Sequence, residues 1–370
     1  MAKIYDSVKK KVPELRFKGF TDDWEKRKLG DFIDVKSGKD YKHLNSGSIP
    51  VYGTGGYMLS VDRALSDIDA IGIGRKGTID KPYLLKAPFW TVDTLFYAVP
   101  KQNIDLQFSL SIFKKINWKK FDESTGVPSL SKTVINSVGA SVPSYEEQQK
   151  IGAFFKHLDN TIALYQRKLD LLKEQKKGFL QKMFPKNGAK VPELRFKGFT
   201  DDWEERKLGE ISKISTGKLD ANAMVENGEY DFYTSGIKKY KIDVAAFEGP
   251  AITIAGNGAT VGYMHLADNK FNAYQRTYVL QEFLVDRSFI FSEIGNKLPK
   301  KIKQEARTGN IPYIVMDMLT ELKLSIPQNN SEQQKIGSFF KHLDDTIALH
   351  QHKLDLLKEQ KKGFLQKMFV

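Results

Sequence analysis

Basic side chains beside glycine turns are the residues of this chain with the clearest chemistry to offer. Arg75 and Lys76 lie between Gly74 and Gly77, where a backbone with few Cβ atoms can come close to a large ligand. Lys36, Lys39 and Lys42 surround a turn at Ser37-Gly38, and Lys114, Lys115, Lys119 and Lys120 flank Trp118. Farther along, Asn257 occupies a second glycine turn and Gln275 and Arg276 follow Tyr274. Lys297, Lys300, Lys301, Lys303 and Arg307 form a basic run that contains one acid, Glu305. Exposed Lys and Arg neutralise phosphates, while Arg, Lys, Asn and Gln at groove depth hydrogen-bond base edges. These sets therefore point to nucleic-acid binding rather than to bond making.

Motifs for bond making fail on their context. Gly72-x-Gly74-x-x-Gly77 matches the dinucleotide fingerprint, but Pro82, Pro88 and a β-like apolar run follow where a helix is required. There is no Walker phosphate loop and no Asn-Pro-Pro-Tyr or Asp-Pro-Pro-Tyr of an amino-methyltransferase. Glu174-Gln-Lys176 and Glu321-Leu-Lys323 mimic the Glu-x-Lys half of a nuclease site. The first lies in a helical repeat and the second lacks an upstream Pro-Asp. Among the histidines only His350 and His352 are close in sequence, and two residues apart on a helix they point to different faces. Cysteine is absent, which excludes disulfides and thiolate metal sites. No catalytic residue, bound cofactor or metal is expected.

Composition agrees. A formal net charge of +13 suggests an anionic partner, most commonly nucleic acid. The 370 residues leave room for two or three domains. The N-terminus lacks the apolar run of a signal peptide, and no 18-residue apolar stretch exists to span a membrane. A cytoplasmic protein is expected.

The elements that must position these residues come in duplicate. Glu147–Phe184 and Glu332–Phe369 differ at only four of 38 positions. In the first copy Ile151, Phe155, Leu158, Ile162, Tyr165, Leu169, Leu172, Lys176, Phe179 and Met183 step alternately by four and three. The second copy repeats the pattern through Ile336, Phe340, Leu343, Ile347, His350, Leu354, Leu357, Lys361, Phe364 and Met368. Such a heptad keeps one seam of a helix against a partner helix. Lys176 and Lys361 interrupt the seam at equivalent points, either as snorkelling side chains or as register control. Phe154, Leu164, Leu171, Leu180, Phe339, Leu349, Leu356 and Leu365 lie off it, facing either the rest of this chain or a partner.

The repeat is larger than the helices. Val12–Phe32 and Val191–Ile211 match at 18 of 21 positions. The stretches between the repeats, roughly 33–140 and 212–324, differ strongly but keep a common order. Ile71–Ile79 and Ile252–Val261 each read as strand, glycine turn, strand; Thr91–Tyr97 and Asn272–Tyr278 read as strands. Helices follow near 105–118 and 286–298, then Thr125-Gly-Val-Pro128 and Thr308-Gly-Asn-Ile-Pro312, then a last strand ending at Pro143 or Pro327. The fold class is α+β. Residues 1–145 form one globular domain, 146–184 a long helix, 185–330 a linker and second domain, and 331–370 the second helix.

The linker Pro185–Lys190 reaches at most ~21 Å, and cannot return the chain along a ~57 Å helix. The helices are therefore expected to pair antiparallel, as a coiled coil in a pseudo-twofold tandem repeat with one domain toward each end.

This arrangement resembles the specificity subunit of type I restriction-modification systems. The match covers nearly the whole chain. It rests on the duplicated Glu-Gln-Gln-Lys-Ile-Gly helix starts at 147–152 and 332–337, the Thr-Gly-Pro approaches with one or two residues before the proline, and the Leu-Arg-Phe-x-Gly-Phe…Trp-Glu…Lys-Leu-Gly lead-ins. The resemblance implies two target-recognition domains, each reading one half of a bipartite site on double-stranded DNA. It implies helices that set the half-site spacing and dock two modification (methyltransferase) subunits, with a restriction subunit in the full complex. It also implies a non-catalytic chain, with S-adenosylmethionine, ATP and Mg belonging to partner subunits. The contrasting expectation from residues alone is a nuclease or other DNA-acting enzyme with a coiled-coil arm.

Overall fold

The computed structural model describes residues 12–186, 188–305 and 312–370; Arg307 and the start of the chain lie outside them. Two compact units emerge, one running to Gln166 and resuming over His352–Val370, the other Arg167–Gln351. The division falls inside the long helices rather than at the expected borders near 145 and 330. Each helix end buries its seam on the globular part beside it, so each unit owns half of both helices.

The first unit opens with strand β1 (Glu25–Lys28), the single turn α1 (Leu29–Phe32) and β2 (Ile33–Ser37). A hairpin of β3 (Ser46–Gly53) and β4 (Gly56–Val61) follows, then β5 (Ala70–Gly74), β6 (Tyr83–Leu85), β7 (Trp90–Thr91) and β8 (Leu95–Pro100). Helices α2 (Leu106–Lys115) and α3 (Lys132–Ser137), strand β9 (Gly139–Val142) and the long α4 (Tyr145–Lys182) complete the order. The main sheet is antiparallel, ordered β2-β8-β5-β6; β4-β3-β7 makes a smaller one, and β9 returns to pair with β1. Ala-Ile-Gly-Ile-Gly of β5 is buried throughout, as a short continuous apolar run at the middle of a sheet demands. Asp105 caps α2 by accepting the Phe108 amide at 2.8 Å.

The second unit repeats this plan with β10 (Trp203–Lys207), α5 (Leu208–Ile211), β11 (Lys213–Thr216), β12 (Tyr230–Tyr233), β13 (Lys239–Ile242) and β14 (Phe247–Glu248). There follow β15 (Ala251–Ala255), β16 (Met264–Ala267), β17 (Lys270–Ala273), β18 (Thr277–Gln281), α6 (Arg287–Glu305), α7 (Met316–Thr320), β19 (Lys323–Pro327) and α8 (Asn330–Lys367). Its main sheet is β11-β18-β15-β16, and its small sheet β13-β12-β17-β14 has one strand more than the first unit's.

Three local expectations change. Thr91–Tyr97 and Asn272–Tyr278 are not single strands: a turn divides each, closed by Leu95 N donating to Val92 O and Thr277 N to Tyr274 O. The piece before the turn serves the small sheet and the piece after it the main sheet, so the chain must bend between them. The strands after the glycine turns start late, at Tyr83 and Met264. The helix expected to end near 298 continues past Pro299 to Glu305.

Within each unit the long helices run antiparallel. In the first, Phe154 meets Phe364 with ring centroids 5.0 Å apart, Phe155 meets Phe369 at 5.8 Å, and Asp159 is ion-paired to Lys361. In the second, Phe179 meets Phe339 at 5.0 Å, Phe184 meets Phe340 at 5.7 Å, and Lys176 is ion-paired to Asp344. Ile151, Phe155, Leu158, Leu169, Ile336, Phe340, Leu354 and Leu357 are buried, and Ile162, Leu172, Leu343 and Ile347 are half-buried. Lys176 and Lys361 each find an aspartate on the opposite helix, which favours register control over simple snorkelling. Burial pushes the Asp159 carboxyl up, but Lys114 and Lys361 together outweigh it and hold it below the usual carboxylate range.

The duplicated helix starts are clamps. Glu147 is fully buried and accepts two parallel 2.8 Å bonds from Arg16; Glu332, also fully buried, accepts bonds of 2.7 and 2.8 Å from Arg195. Gln148 accepts from Asp105 N and donates to Pro143 O, as Gln333 does with Asp286 and Pro327. Gly152 is required because a Cβ there would stand 2.2 Å from the Asp105 carboxylate; Gly337 meets Asp286 at 2.6 Å. A motif that ties lead-in, domain and helix together must repeat with them.

Candidate nucleic-acid interface

In the first unit the ends of several strands bring their loops to one place. The glycine turn after β5 donates Gly77 N to Pro128 O, and Leu130 N donates back to Arg75 O. Gly77 has φ +93°, which a residue with Cβ rarely adopts, and Thr54 of the β3–β4 hairpin tip lies beside it. Asp122 holds the 122–131 loop in shape, accepting from Ser124 N, the Ser124 hydroxyl and Ser129 N; these bonds keep its carboxyl below the usual range. Between turn and loop opens a cleft of about 520 Å³, with Arg75, Lys76, Lys132, Ser129, Ser131 and Glu123 on its walls. Arg75 rests 5.9 Å over the Phe96 ring and, like Lys76, has no ion pair among the described residues. Three cations against one carboxylate give the cleft a positive field suited to an anion.

The second unit builds the same junction with other side chains. Ile314 N donates to Gly256 O at 2.7 Å, and Gly258 has φ +87°. The hairpin tip between β12 and β13 is fastened to the glycine turn, with the Ser235 hydroxyl donating to Asn257 Oδ1 and the Thr260 hydroxyl to Ser235 O. Tyr278 donates to Ile314 O. Gln275 and Arg276 are exposed on the turn between β17 and β18.

The residues picked out by sequence divide sharply. Arg75, Lys76, Asn257, Gln275 and Arg276 belong to these loop clusters, Lys36 is exposed nearby, 3.5 Å from Asp34, and Lys39 is exposed beside β7, its amide donating to Thr91 O. Three of the lysines around Trp118 have other partners. Trp118 is fully buried and donates to Phe113 O, so it is core rather than a stacking surface. Lys114 pairs with Asp159, Lys119 with Asp80, and Lys115 lies against Phe369, where burial pushes its pKa down. Lys300 is exposed on α6, whereas Lys301 is ion-paired to Glu305. Lys132, Ser129, Ser131 and Glu123 were missed, because their loop reaches the glycine turn only through tertiary contact. Tyr57 and Met58 on one hairpin tip and Ile237 on the other are more than half or nearly half exposed; glycine-rich tips between strands were the available signal.

The off-seam apolar residues also divide. Phe154 and Leu365 pack on the first unit's core, and Leu180 and Phe339 on the second's. Leu164, Leu171, Leu349 and Leu356 stay 57, 58, 66 and 41% exposed. In the first unit Leu164 follows Asp159 by five residues and Leu356 precedes Lys361 by five, so the two leucines share a level. Leu171 and Leu349 stand likewise to Lys176 and Asp344 in the second. Among the described residues no helix is long and apolar enough to cross a membrane, and no group of three or more His, Asp or Glu could hold a metal ion.

Residues 21–174 and 200–359 match the family model described as the type I restriction modification DNA specificity domain. The type I restriction enzyme EcoDI specificity subunit of Escherichia coli is 33% identical over 167 residues, which is 44% of this chain and 37% of that protein. The MjaVIII specificity subunit of Methanocaldococcus jannaschii is 21% identical over 93% of this chain and 91% of its own length. Among solved structures, the type I restriction-modification S subunit of M. genitalium superposes with a TM-score of 0.79 at 17% identity, over 97% of this chain and 99% of that one.

Proposed function

Because this chain belongs to the type I restriction modification DNA specificity family, with two target-recognition domains, we propose that each unit's loop cluster reads one half of a bipartite DNA site. The observation that carries the reading is the shared junction. Both units repeat the same backbone bonds around a positive-φ glycine, yet they carry Arg75, Lys76 and Ser129 in one and Arg276, Asn257 and Tyr313 in the other. One scaffold with two sets of polar side chains is what reading two unlike sequences requires. The lengths of α4 and α8 set the number of untouched base pairs between the half-sites. Catalysis, S-adenosylmethionine, ATP and Mg belong to partner subunits.

The test is methylation mapping of a host that carries this chain with its modification subunits. Two unlike half-sites with a constant gap are expected; modification at random sequence, or at none, would overturn the reading. Inserting four residues in a helix adds one turn, ~6 Å. The same map should then show the gap longer by one or two base pairs at ~3.4 Å each, and an unchanged gap would remove the spacing role.

The exposed leucines are the surface we assign to the modification subunits. Leu164→Asp with Leu356→Asp, or Leu171→Asp with Leu349→Asp, should weaken that association by about 30-fold or more, the scale of a hot-spot loss. Binding of a modification subunit at wild-type strength by both double variants would exclude these faces.

A further inference from the structure

We propose that Arg75 and Arg276 are one reader placed twice: the single guanidinium of each unit that takes the O6/N7 edge of a guanine, presented from opposite strands of an equivalent pair. This rests on the reading of each unit as a DNA half-site reader.

The equivalence follows from hydrogen bonds. In the first unit Arg75 N donates to Thr94 O at 2.8 Å, and in the second Gly256 N donates to Arg276 O at 2.9 Å. One residue inward, Gly74 faces Leu95 and Ala255 faces Thr277. One residue outward, Lys76 bridges Ser129 and Asn257 bridges Tyr313. Gly38 N and Gly217 N donate to Leu95 O and Thr277 O, and the turns close from Val92 O and Tyr274 O. Position 75 is therefore position 256, and position 94 is position 276. The first unit fills this pair with Arg and Thr, the second with Gly and Arg.

The exchange has a steric cause. A Cβ at 256 would stand 2.3 Å from Arg276 O and 3.0 Å from the Tyr278 ring, so no arginine fits there. The guanidinium has moved to the other member of the pair. Both arginines are exposed, at the end of a main-sheet strand, with no ion pair among the described residues. The neighbouring lysines, Lys76 and Lys132 in the first unit, are single-point donors suited to phosphates. A guanidinium offers two parallel donors that match guanine O6 and N7, which a lysine cannot supply in the same way. Because the forks leave from opposite strands, the two units place guanine at different steps of their half-sites.

The experiment uses the full chain with its modification subunits, and compares wild type with Arg75→Ala, Arg75→Lys, Arg276→Ala and Arg276→Lys. Methylation mapping should show Arg75→Ala losing a guanine requirement at one position of one half-site, with the other half intact; Arg276→Ala should do the reverse. Discrimination at that position, measured by binding, should fall roughly 10- to 100-fold. The lysine variants keep the charge and should relax the same position while holding overall affinity. Equal weakening on all sequences would make the arginines phosphate contacts and overturn the proposal, as would an unaltered map. If wild type itself shows no bipartite site, the half-site reading has failed; an intact wild-type map with unaltered variants sinks only the arginine assignment.

Discussion

Replacing Arg16 by alanine should destabilise the first unit by about 3–5 kcal/mol, the cost of leaving a buried charge without its partner. Glu147 is fully buried and its two carboxylate oxygens are both taken by Arg16. Without the guanidinium the carboxylate is left in a poor medium with neither oxygen satisfied. Urea denaturation of the variant beside wild type measures the deficit. Hydrogen exchange should place the loss at the start of α4. Arg16→Lys keeps the charge but not the two-pronged geometry, and should lose less than Arg16→Ala. A deficit below 1 kcal/mol would show that the clamp does not hold the helix start.

The second large effect is a gain. Glu293 on α6 is fully buried, accepting from Ser325 N and Asn296, with Lys297 at 3.8 Å. Burial pushes its carboxyl up to about 7, against the opposing pull of Lys297 and those hydrogen bonds. The native state thus holds the proton more tightly than the unfolded chain does. Its contribution is present below about pH 4.5, declines as pH rises, and is gone above about pH 7. Glu293→Gln mimics the protonated form, and should stabilise the second unit by about 2–3 kcal/mol at pH 8 while changing little at pH 4.5. The equivalent position in the first unit is the buried Ile112, seven residues after the capping Asp105 as Glu293 is after Asp286. Glu293→Ile should therefore also stabilise at pH 8. Melting curves at the two pH values decide it: equal effects at both would mean that the carboxyl keeps an ordinary pKa in the fold.

Both effects bear on what sequence can disclose. The Glu-Gln-Gln-Lys-Ile-Gly starts were visible as repeats, but their partners Arg16 and Arg195 lie more than 130 residues away in sequence. The basic sets were visible as well, yet lysines around Trp118 and those around Gly77 looked alike. Burial of Trp118 and the ion pairs of Lys114 and Lys119 separate them, because a charge already satisfied inside the unit has less to offer a ligand. The match between Arg75 and Arg276 could not be seen by aligning the repeats, since the arginine had changed strands.

The sequence by itself determined the repeat and its long helices: a duplicated heptad on two helices of 38 residues carries an apolar seam that must be covered. Those are local and periodic constraints, written in spacing. Only the tertiary structure decided which polar side chains meet, because strand register and glycine turns bring loops of distant sequence to one junction. Where a Cβ does or does not fit against a neighbouring carbonyl, as at Gly256, chose the strand that carries the arginine.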